Sequence, residues 1–435
     1  MEKKDFINKY GNADPAALRL KFLKPGLNPE ERETFESAIL QIEARRRYAA
    51  KFRSILKEHP GFEFPSILAC EQASHEWVAL YHASLASGFS SLIDLTGGLG
   101  IDFINMGLAI SPDGCRCVAI EADRKKADFL ANNCRHCGLN NALVVNSDSM
   151  DFLESEYKPD RHSEGKCLIY ADPARRGDGD RRLYNPMDCS PDIFGHMDAI
   201  FSAADTLIIK NSPMLDIHSA LSLFPGLTEL HVVSVRNECK EVLVVAEASV
   251  YKRKPADFIP VIRCINFLDE DSCTEFVFSI PGVKTAVQSV SLDMSELYPL
   301  DSKSLEVLAG SDVDTFVYIP DASVMKCGDL AWEEIGRRFP SLRKLSPNCH
   351  LYLSGDVESN FPGRRMKVDG IVSRRERKSL KGDKFNVATR NYPGGAVKLA
   401  KALGVKPSPD ASSFIYGVTV GLKEAPLLLR LSLPD

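Results

Sequence analysis

Four acidic residues recur through the middle of this 435-residue chain at nearly equal intervals. Each stands at or just past the end of a short apolar run, and the intervals between them are 27, 27 and 24 residues. One strand plus one helix of an alternating α/β chain has a similar length. The carboxyl ends of parallel strands meet at one edge of a sheet, where open α/β sheets bind ligands. The pattern therefore predicts four carboxylates at that edge: Asp94, Glu121, Asp148 and Asp172.

A glycine-rich turn, DLTGGLGID (94–102), begins at the first of these acids and opens a helical pattern. Gly97, Gly98 and Gly100 would permit a tight turn and a close approach of a ligand to the backbone. The dinucleotide fingerprint G-x-G-x-x-G is not met, because the third glycine position, counted from Gly98 and Gly100, holds Phe103. This departure disfavours a nicotinamide-dependent oxidoreductase, which stays an alternative.

Four carboxylates favour a cationic ligand, since a nucleotide phosphate would need basic side chains or helix amides. S-adenosylmethionine carries a sulfonium and an ammonium and has no phosphate, so we expect it as the cofactor. Glu121, at the end of the second strand, could accept hydrogen bonds from both ribose hydroxyls. Asp148 could cap a helix, contact adenine, or do both.

Seven apolar runs would supply the strands that hold these side chains, at 91–95, 116–120, 142–145, 167–171, 206–210, 229–235 and 241–247. Helical patterns at 99–108, 123–137 and 192–204 lie between them, and another at 71–85 precedes them. A tight hairpin turn is favoured at Arg236, Asn237 and Glu238, between the last two strands. We therefore predict an α/β fold with a Rossmann-like, mostly parallel seven-stranded sheet. The predicted segments are an N-terminal helical domain (1–85), the sheet domain (86–268), a linker or extension (269–315) and two small α+β domains (316–362 and 363–435).

Composition bears on the location of the protein and on whether it binds a membrane or a metal. The start lacks an apolar signal core, and no apolar run approaches the ~20 residues of a membrane span, so we expect a cytoplasmic protein without a membrane partner. Twelve irregularly spaced cysteines are not a disulfide framework. Cys115, Cys117, Cys134 and Cys137 invite a zinc interpretation, but Cys117 falls in a strand pattern and Cys134 in a helical one. Buried thiols are favoured, and no metal is expected.

Eight motifs along the chain resemble those of class I S-adenosylmethionine-dependent methyltransferases, in particular a bacterial group with a ferredoxin-like domain and a THUMP-like C-terminal domain. They are EQASHEW, DLTGGLGID, ADPARR, KNSPMLD, VRNECKEVLV, PDASVMKCGDL, PNCHLYLS and FPGRRMKV. The resemblance extends from about residue 70 to the last residues. It implies a methyltransferase domain, a ferredoxin-like domain at 316–362 and a THUMP-like domain at 363–435.

The same resemblance implies roles by position. Asp94 and the three glycines would form the cofactor loop, Glu121 would contact the ribose, and Asp148 would contact adenine. Asp172 and Pro173 match the start of the motif D/N-P-P-Y/F, which is found in enzymes that methylate exocyclic amines.

Such an amine is a poor nucleophile, because its lone pair is delocalised into the ring of the base. The Asp172 carboxylate and the Pro173 carbonyl could accept its two N–H groups and stabilise positive charge on the nitrogen. The chain departs from the motif at Ala174, in place of the second proline, and at Arg175, in place of the aromatic residue. A guanidinium could stack on a base or bind a phosphate, and both roles stay open. Lys210, after the fifth strand, is either a substrate contact or part of a surface turn.

Residues 361–406 form a basic segment inside a chain of net charge −5. They hold thirteen lysines and arginines against three acids, and Phe361, Phe385 and Tyr392 are interleaved with them. A solvated, charge-rich face is one interpretation. The other is an RNA surface, because basic groups with nearby aromatic rings suit phosphates and unstacked bases. The residues expected to bind RNA there are Arg374, Arg375, Arg377 and Lys378.

Three functions follow from these observations. The carboxylate series and the basic segment favour an enzyme that methylates an exocyclic amine of a base in structured RNA, either tRNA or rRNA. The alternatives are a non-catalytic RNA-binding protein on a methyltransferase scaffold and, less favoured, the oxidoreductase.

Overall fold

The computed structural model describes residues 2–110, 116–157, 165–175, 185–253, 258–279, 314–421 and 425–434, without the side chains of residues 156 and 175. These residues form two compact units. The first unit comprises Met1–His231 and Glu241–Phe258, so it includes the N-terminal helices. The second comprises Val232–Lys240 and Ile259–Asp435.

Six helices precede the sheet of the first unit. They are α1 (Lys3–Tyr10), α2 (Pro15–Phe22), α3 (Pro29–Arg47), α4 (Arg53–Glu58), α5 (Ile67–Gln72) and α6 (Glu76–Ala86). Asp14 caps α2 by accepting a hydrogen bond from the Ala17 amide at 2.9 Å. The single helix expected over 71–85 is wrong. Two helices meet there, because His75 leaves the helical conformation and its ring accepts a hydrogen bond from the Trp77 amide as the N-cap of α6.

Among the described residues the large sheet has nine strands, of which the last two along the chain form an antiparallel hairpin. The other seven are the predicted strands. They are β1 (Ser91–Asp94), β2 (Arg116–Ile120), β3 (Ala142–Val145), β4 (Cys167–Ala171), β5 (Thr206–Asn211), β6 (Leu227–Val235) and β7 (Glu238–Glu247). Their order across the sheet is β3-β2-β1-β4-β5-β7-β6. The first five are parallel, and β7 runs antiparallel to β5. The hairpin turn expected between the last two strands is present, with Arg236 and Asn237 at φ values of 49° and 61°.

Helices connect these strands as expected of an alternating α/β chain. They are α7 (Ile101–Ala109), α8 (Arg124–His136), α9 (Met197–Ala203), α10 (Ile217–Leu223) and α11 (Ala248–Arg253). Shorter elements are a helical turn (Ser149–Asp151), a π-helical turn (Phe152–Glu156), two 3-10 turns (Pro186–Asp188 and Phe194–His196) and a two-residue strand pair (Ala174–Arg175 with Cys189–Ser190). The parallel strands β1, β2 and β4 therefore end at one edge, which carries the predicted acids.

The second unit contains an antiparallel hairpin and an eight-stranded sheet. The hairpin strands are β8 (Val261–Phe267) and β9 (Cys273–Ser279). The sheet strands are β10 (Phe316–Pro320), β11 (Arg343–Ser346), β12 (Cys349–Ser354), β13 (Gly363–Ile371), β14 (Lys384–Arg390), Lys406–Pro407, β15 (Ser413–Val420) and β16 (Ala425–Ser432). Its helices are α12 (Ala322–Lys326), α13 (Asp329–Arg338), α14 (Gly395–Leu403) and a 3-10 turn, Glu376–Lys378.

One sheet joins the two small segments predicted for this unit. Its order is β11-β12-β10-β13-β16-β15-β14, followed by Lys406–Pro407. Strand β10 from segment 316–362 pairs with β13 from segment 363–435, so backbone hydrogen bonds cross that predicted boundary. Of the predicted linker 269–315, residues 273–279 form strand β9, and residues 280–313 lie outside the described part of the chain.

Candidate active site

Asp94 anchors the glycine-rich turn that follows β1. Its side chain is 2% exposed, and one carboxylate oxygen accepts hydrogen bonds from the Thr96 amide at 2.8 Å and the Thr96 hydroxyl at 3.2 Å. Burial raises the pKa of Asp94 to about 7. The Thr96 hydroxyl also accepts a hydrogen bond from the Asp172 amide at 2.7 Å. The glycine turn and the turn at Asp172 are thereby tied together at the sheet edge.

The three glycines of the turn have different physical roles. A Cβ atom on Gly97 or Gly100 would lie 2.6 Å or 2.3 Å from the side chain of Leu130 in α8, so these glycines let α8 pack against the turn. Gly98 has φ +52°, and its amide donates a hydrogen bond to Glu121 at 2.9 Å. A Cβ on Gly98 would meet only the Thr96 carbonyl, at 3.5 Å. The space in front of Gly98 is therefore open to a ligand.

Glu121 follows β2, where it was predicted, and backbone amides hold it in place. One carboxylate oxygen accepts from Gly98, and the other accepts from the Asp123 amide at 2.9 Å. Each oxygen of an ionised carboxylate has two lone pairs, so both oxygens keep capacity for further donors. Asp148 is exposed and caps the helical turn after β3, accepting from the amides of Met150 at 2.8 Å and Asp151 at 3.2 Å. The capping role predicted for Asp148 is present.

Asp172 forms an ion pair with Lys210. The Lys210 Nζ atom lies 2.6 Å from Oδ2 of Asp172, with the lysine side chain 12% exposed and the carboxylate 39% exposed. Burial raises the pKa of Asp172, and the neighbouring Lys210 opposes that effect. Burial also disfavours the charged form of Lys210, but Asp172, Asp102 and Glu241 outweigh it and raise the Lys210 pKa. Lys210 is thus held as a cation beside Asp172, the carboxylate expected to accept an N–H bond from the substrate amine.

Pro173 and Arg175 complete the turn after β4. Pro173 is half-buried, and the backbone of Arg175 pairs with Cys189 in the two-residue strand pair. The side chain of Arg175 lies outside the described part of the chain, so its predicted contact with a base or a phosphate stays a prediction.

A buried histidine and two carboxylates lie beside this pair and were missed as site residues. His82 of α6 is fully buried, with Nδ1 2.8 Å from Oδ1 of Asp102 and Nε2 2.6 Å from Oε1 of Glu241. The other Asp102 oxygen accepts a hydrogen bond from the Ser74 hydroxyl at 2.7 Å. Ionised carboxylates only accept hydrogen bonds, so both ring nitrogens of His82 must donate, which is the imidazolium form.

Electrostatics agrees with that geometry. Burial alone would lower the pKa of His82, but Glu241 and Asp102 raise it to about 10. Burial opposes ionisation of Asp102, yet His82 keeps the pKa of Asp102 below its usual range. Three of these residues lie in motifs singled out in the sequence, Ser74 in EQASHEW, Asp102 in DLTGGLGID and Glu241 in VRNECKEVLV, whereas His82 lies outside them. The contact between His82 and Glu241 could not be predicted from the sequence, because the two residues lie 159 residues apart in the chain.

The predicted RNA-binding residues lie in the second unit, between β13 and β14. Arg374, Arg375 and Lys378 are exposed, and Arg377 is half-buried. Ser373 and Glu376 form reciprocal hydrogen bonds with each other's amides, which fixes the turn that presents them. The basic residues are thus displayed on an ordered turn.

The aromatic part of that prediction is wrong. Phe361 is buried against the rings of Tyr318 and Phe339, and Phe385 lies in a hydrophobic cluster against which Tyr392 packs. Phe361 and Phe385 therefore belong to the core and offer no stacking platform for bases, while Tyr392 is half-buried.

Neither a metal site nor a membrane span emerges from the described residues. Across the described ranges, no group of three or more His, Cys, Asp or Glu side chains is arranged to hold a metal ion. Cys117, Cys134 and Cys137 are buried thiols, and Cys115 lies outside those ranges. No helix within the described part of the chain is long and apolar enough to cross a membrane.

One solved structure matches the chain over its whole length. It is described as a "putative methyltransferase from Porphyromonas gingivalis W83", and it aligns with a TM-score of 0.74, 26% identity and 100% coverage of both chains. Two others match in part. A "putative class I S-adenosylmethionine-dependent methyltransferase" from Listeria monocytogenes has a TM-score of 0.33 and 11% identity over 62% of this chain and 94% of its own. The O-methyltransferase TomG from Streptomyces achromogenes has a TM-score of 0.31 and 15% identity over 47% and 89%.

Sequence comparison adds a domain family. A family model for a ferredoxin-like domain matches residues 316–362. No curated protein matches the chain at a significant level. The chain therefore combines a methyltransferase fold with a ferredoxin-like domain, which confirms these two parts of the resemblance inferred from its motifs. The THUMP-like domain expected at 363–435 stays a prediction.

Proposed function

We propose that this protein transfers a methyl group from S-adenosylmethionine to an exocyclic amine of a base in structured RNA. The observation that carries the proposal is the hydrogen bond from the Asp172 amide to the Thr96 hydroxyl, at 2.7 Å. Through it, the turn expected to hold the acceptor amine touches the turn expected to hold the methyl donor. Placing donor and acceptor side by side supplies a large part of the acceleration in group transfer.

The residues at the sheet edge fit the proposed cofactor. Open space in front of Gly98 would admit it to the backbone, and Glu121 keeps lone pairs for ribose hydroxyls. Asp148 is exposed at the end of β3, where it could contact adenine while capping its helical turn. Buried and half-buried carboxylates nearby would favour a ligand that carries positive charge. When bound, S-adenosylmethionine would supply an electrophilic methyl group on a sulfonium.

Asp172 and Pro173 would hold the acceptor. Lys210 binds Oδ2 of Asp172, so Oδ1 would be the oxygen that accepts an N–H bond from the amine. The Pro173 carbonyl would accept the second N–H bond, and together these acceptors would stabilise positive charge on the nitrogen. The amine nitrogen would have to lose a proton on methylation, and the Asp172 carboxylate would be the group that accepts it.

The basic turn of the second unit supports RNA as the substrate. Arg374, Arg375 and Lys378 are exposed on a turn fixed by hydrogen bonds, which suits contacts to a phosphate backbone. Because Phe361 and Phe385 are buried and Tyr392 packs against a hydrophobic cluster, we expect this surface to contribute charge rather than base stacking.

Transfer of a labelled methyl group tests the proposal directly. Purified protein is incubated with methyl-labelled S-adenosylmethionine and total RNA from a strain that lacks the gene. Label should enter tRNA or rRNA with the parent and with Asp128→Asn, an exposed carboxylate on α8, and should be lost with Asp172→Asn. Absence of label in every RNA fraction with the parent protein would refute the proposed activity.

A further inference from the structure

A polar layer crosses one face of the first unit's sheet, directly behind the proposed acceptor site. Tyr170 in β4 is the register partner of Asp94 in β1 and of Ile208 in β5. Side chains two residues apart in a strand share a face, so Lys210 lies on the face of Ile208 and Tyr170. The register partner of Lys210 in β7 is Leu243, which places Glu241, two residues before it, on that face as well.

Helices α6 and α7 cover this layer and supply two further charged side chains. They contribute His82 and Asp102, which bind each other at 2.8 Å, while His82 also binds Glu241 at 2.6 Å. Three carboxylates, those of Asp102, Asp172 and Glu241, thus face two cations, His82 and Lys210. The imidazolium neutralises only one carboxylate, so the layer retains two negative charges, of which Lys210 balances one.

We propose that Lys210 is a positioning residue. It fixes the Asp172 carboxylate in its ionised form and in one orientation, so that Oδ1 faces the amine of the substrate base. The proposal rests on the proposed methyl transfer. Lys210 lies near the end of β5, where its side chain is 12% exposed and its Nζ atom lies 2.6 Å from Oδ2 of Asp172. The carboxylates of Asp102 and Glu241 stabilise its charge from behind. A salt bridge in this setting fixes geometry, because a buried cation cannot leave its partner without a large desolvation cost.

The same arrangement determines how Asp172 responds to pH. The titratable and charged groups around the pair come from six elements of the described chain: His82 (α6), Asp94 (β1), Asp102 (α7), Tyr170 (β4), Lys210 (β5) and Glu241 (β7). The acids and the buried site favour protonation of Asp172, and Lys210 opposes them. Removing the lysine should therefore raise the Asp172 pKa, and the acid limb of the kcat profile should move to higher pH with it.

Carboxyl NMR of the full chain tests this without any cofactor or RNA. Aspartate carboxyls are labelled with 13C, and the Asp172 signal is assigned by its absence in Asp172→Asn. In Lys210→Met we expect the Asp172 pKa to rise by ~1–3 units, the range in which a nearby cation shifts a carboxyl. Lys210→Arg keeps the charge and should titrate like the parent. The control is Lys57→Met, an exposed lysine of α4.

Kinetics then separates positioning from folding. In Lys210→Met, kcat should fall ~10–100-fold, as for loss of a partner that orients a reacting group. The KM for RNA and the Kd for S-adenosylmethionine should stay within about threefold, a range of ~0.65 kcal/mol. An Asp172 that titrates alike in the parent and in Lys210→Met overturns the inference, and so does an arginine variant that behaves like the methionine variant. If the parent transfers no methyl group at all, the proposed function fails, while the NMR titration still decides whether Lys210 controls Asp172.

Discussion

At the scale of single residues, two carboxylates of the site have different surroundings and should therefore have different roles. Asp172 is half-exposed and paired with a lysine, whereas Glu121 is held by two backbone amides and faces the opening at Gly98. The first environment suits a group that meets a substrate. The second suits a group that binds a cofactor. Substitutions should therefore separate the two functions.

Asp172→Ala should abolish most of the methyl transfer and leave the Kd for S-adenosylmethionine within a few-fold. Removing a well-placed electrostatic contact of this kind typically costs ~10²–10³ in rate. Single-turnover kinetics measures the chemical step, and calorimetry measures the cofactor affinity. Asp128→Ala is the matched control, because it removes an exposed carboxylate of the same unit. Near-normal turnover in Asp172→Ala would remove Asp172 from the reaction.

Glu121→Ala should weaken S-adenosylmethionine binding by ~1–3 kcal/mol, because ribose hydroxyls would lose their acceptor. The amides of Gly98 and Asp123 also lose their acceptor in this variant, so its urea unfolding is measured alongside. Glu58→Ala, at an exposed glutamate of α4, serves as the control in calorimetry. An unchanged Kd in a stable Glu121→Ala protein would mean that the acid after β2 does not contact the cofactor.

At the scale of elements, close packing of α8 against the glycine turn sets the shape of the site. Gly100 has φ +89° and no room for a Cβ next to Leu130, whereas Gly138 has φ +84° and no atom within 4 Å of an added Cβ. The two glycines thus share the backbone strain that alanine would suffer, and they differ in packing.

Gly100→Ala should be less stable than Gly138→Ala by ~1–3 kcal/mol, the usual cost of overpacking a filled site. It should also weaken cofactor binding, since the turn must shift away from α8. Urea unfolding of both variants measures the difference. Equal free energies of unfolding would show that Leu130 yields easily and that α8 does not constrain the turn.

The strands were predictable from the sequence because each is a short apolar run followed by turn residues, as at β1, β2 and β4. The acids at their ends could be placed on one edge for the same reason, since strand polarity alone brings them together. The layer of His82, Asp102 and Glu241 could not be predicted. Its members come from α6, α7 and β7, and only the register of β5 with β7 and the docking of α6 bring them into contact. Helix periodicity likewise missed the break before α6, which a histidine cap decides.

At the scale of the whole molecule, charge is distributed unevenly along the chain. Its net charge is −5, yet the segment 361–406 holds thirteen basic residues against three acids. The exposed members of that segment in the turn after β13 should supply nonspecific affinity for RNA, and the first unit should supply the chemistry.

Charge reversal at Arg374, Arg375 and Lys378 should flatten the salt dependence of RNA binding and raise the KM for RNA. Each lost phosphate contact reduces counterion release, so the slope of log K against log salt should fall by ~0.7–0.9 per contact. Cofactor affinity should not change. The control reverses three exposed lysines of the first unit, Lys4, Lys57 and Lys125. If RNA binding and its salt slope match the parent at physiological salt, the turn is only a solvated face.

Mass spectrometry of modified nucleosides shows whether this chain methylates a base amine in RNA. RNA from the wild-type strain and from a deletion strain is digested to nucleosides and compared. We expect one N-methylated nucleoside of tRNA or rRNA to be lost in the deletion strain. The parent protein should restore it in vitro, and Asp172→Asn should not. Identical nucleoside profiles in the two strains would contradict the proposed methylation of RNA.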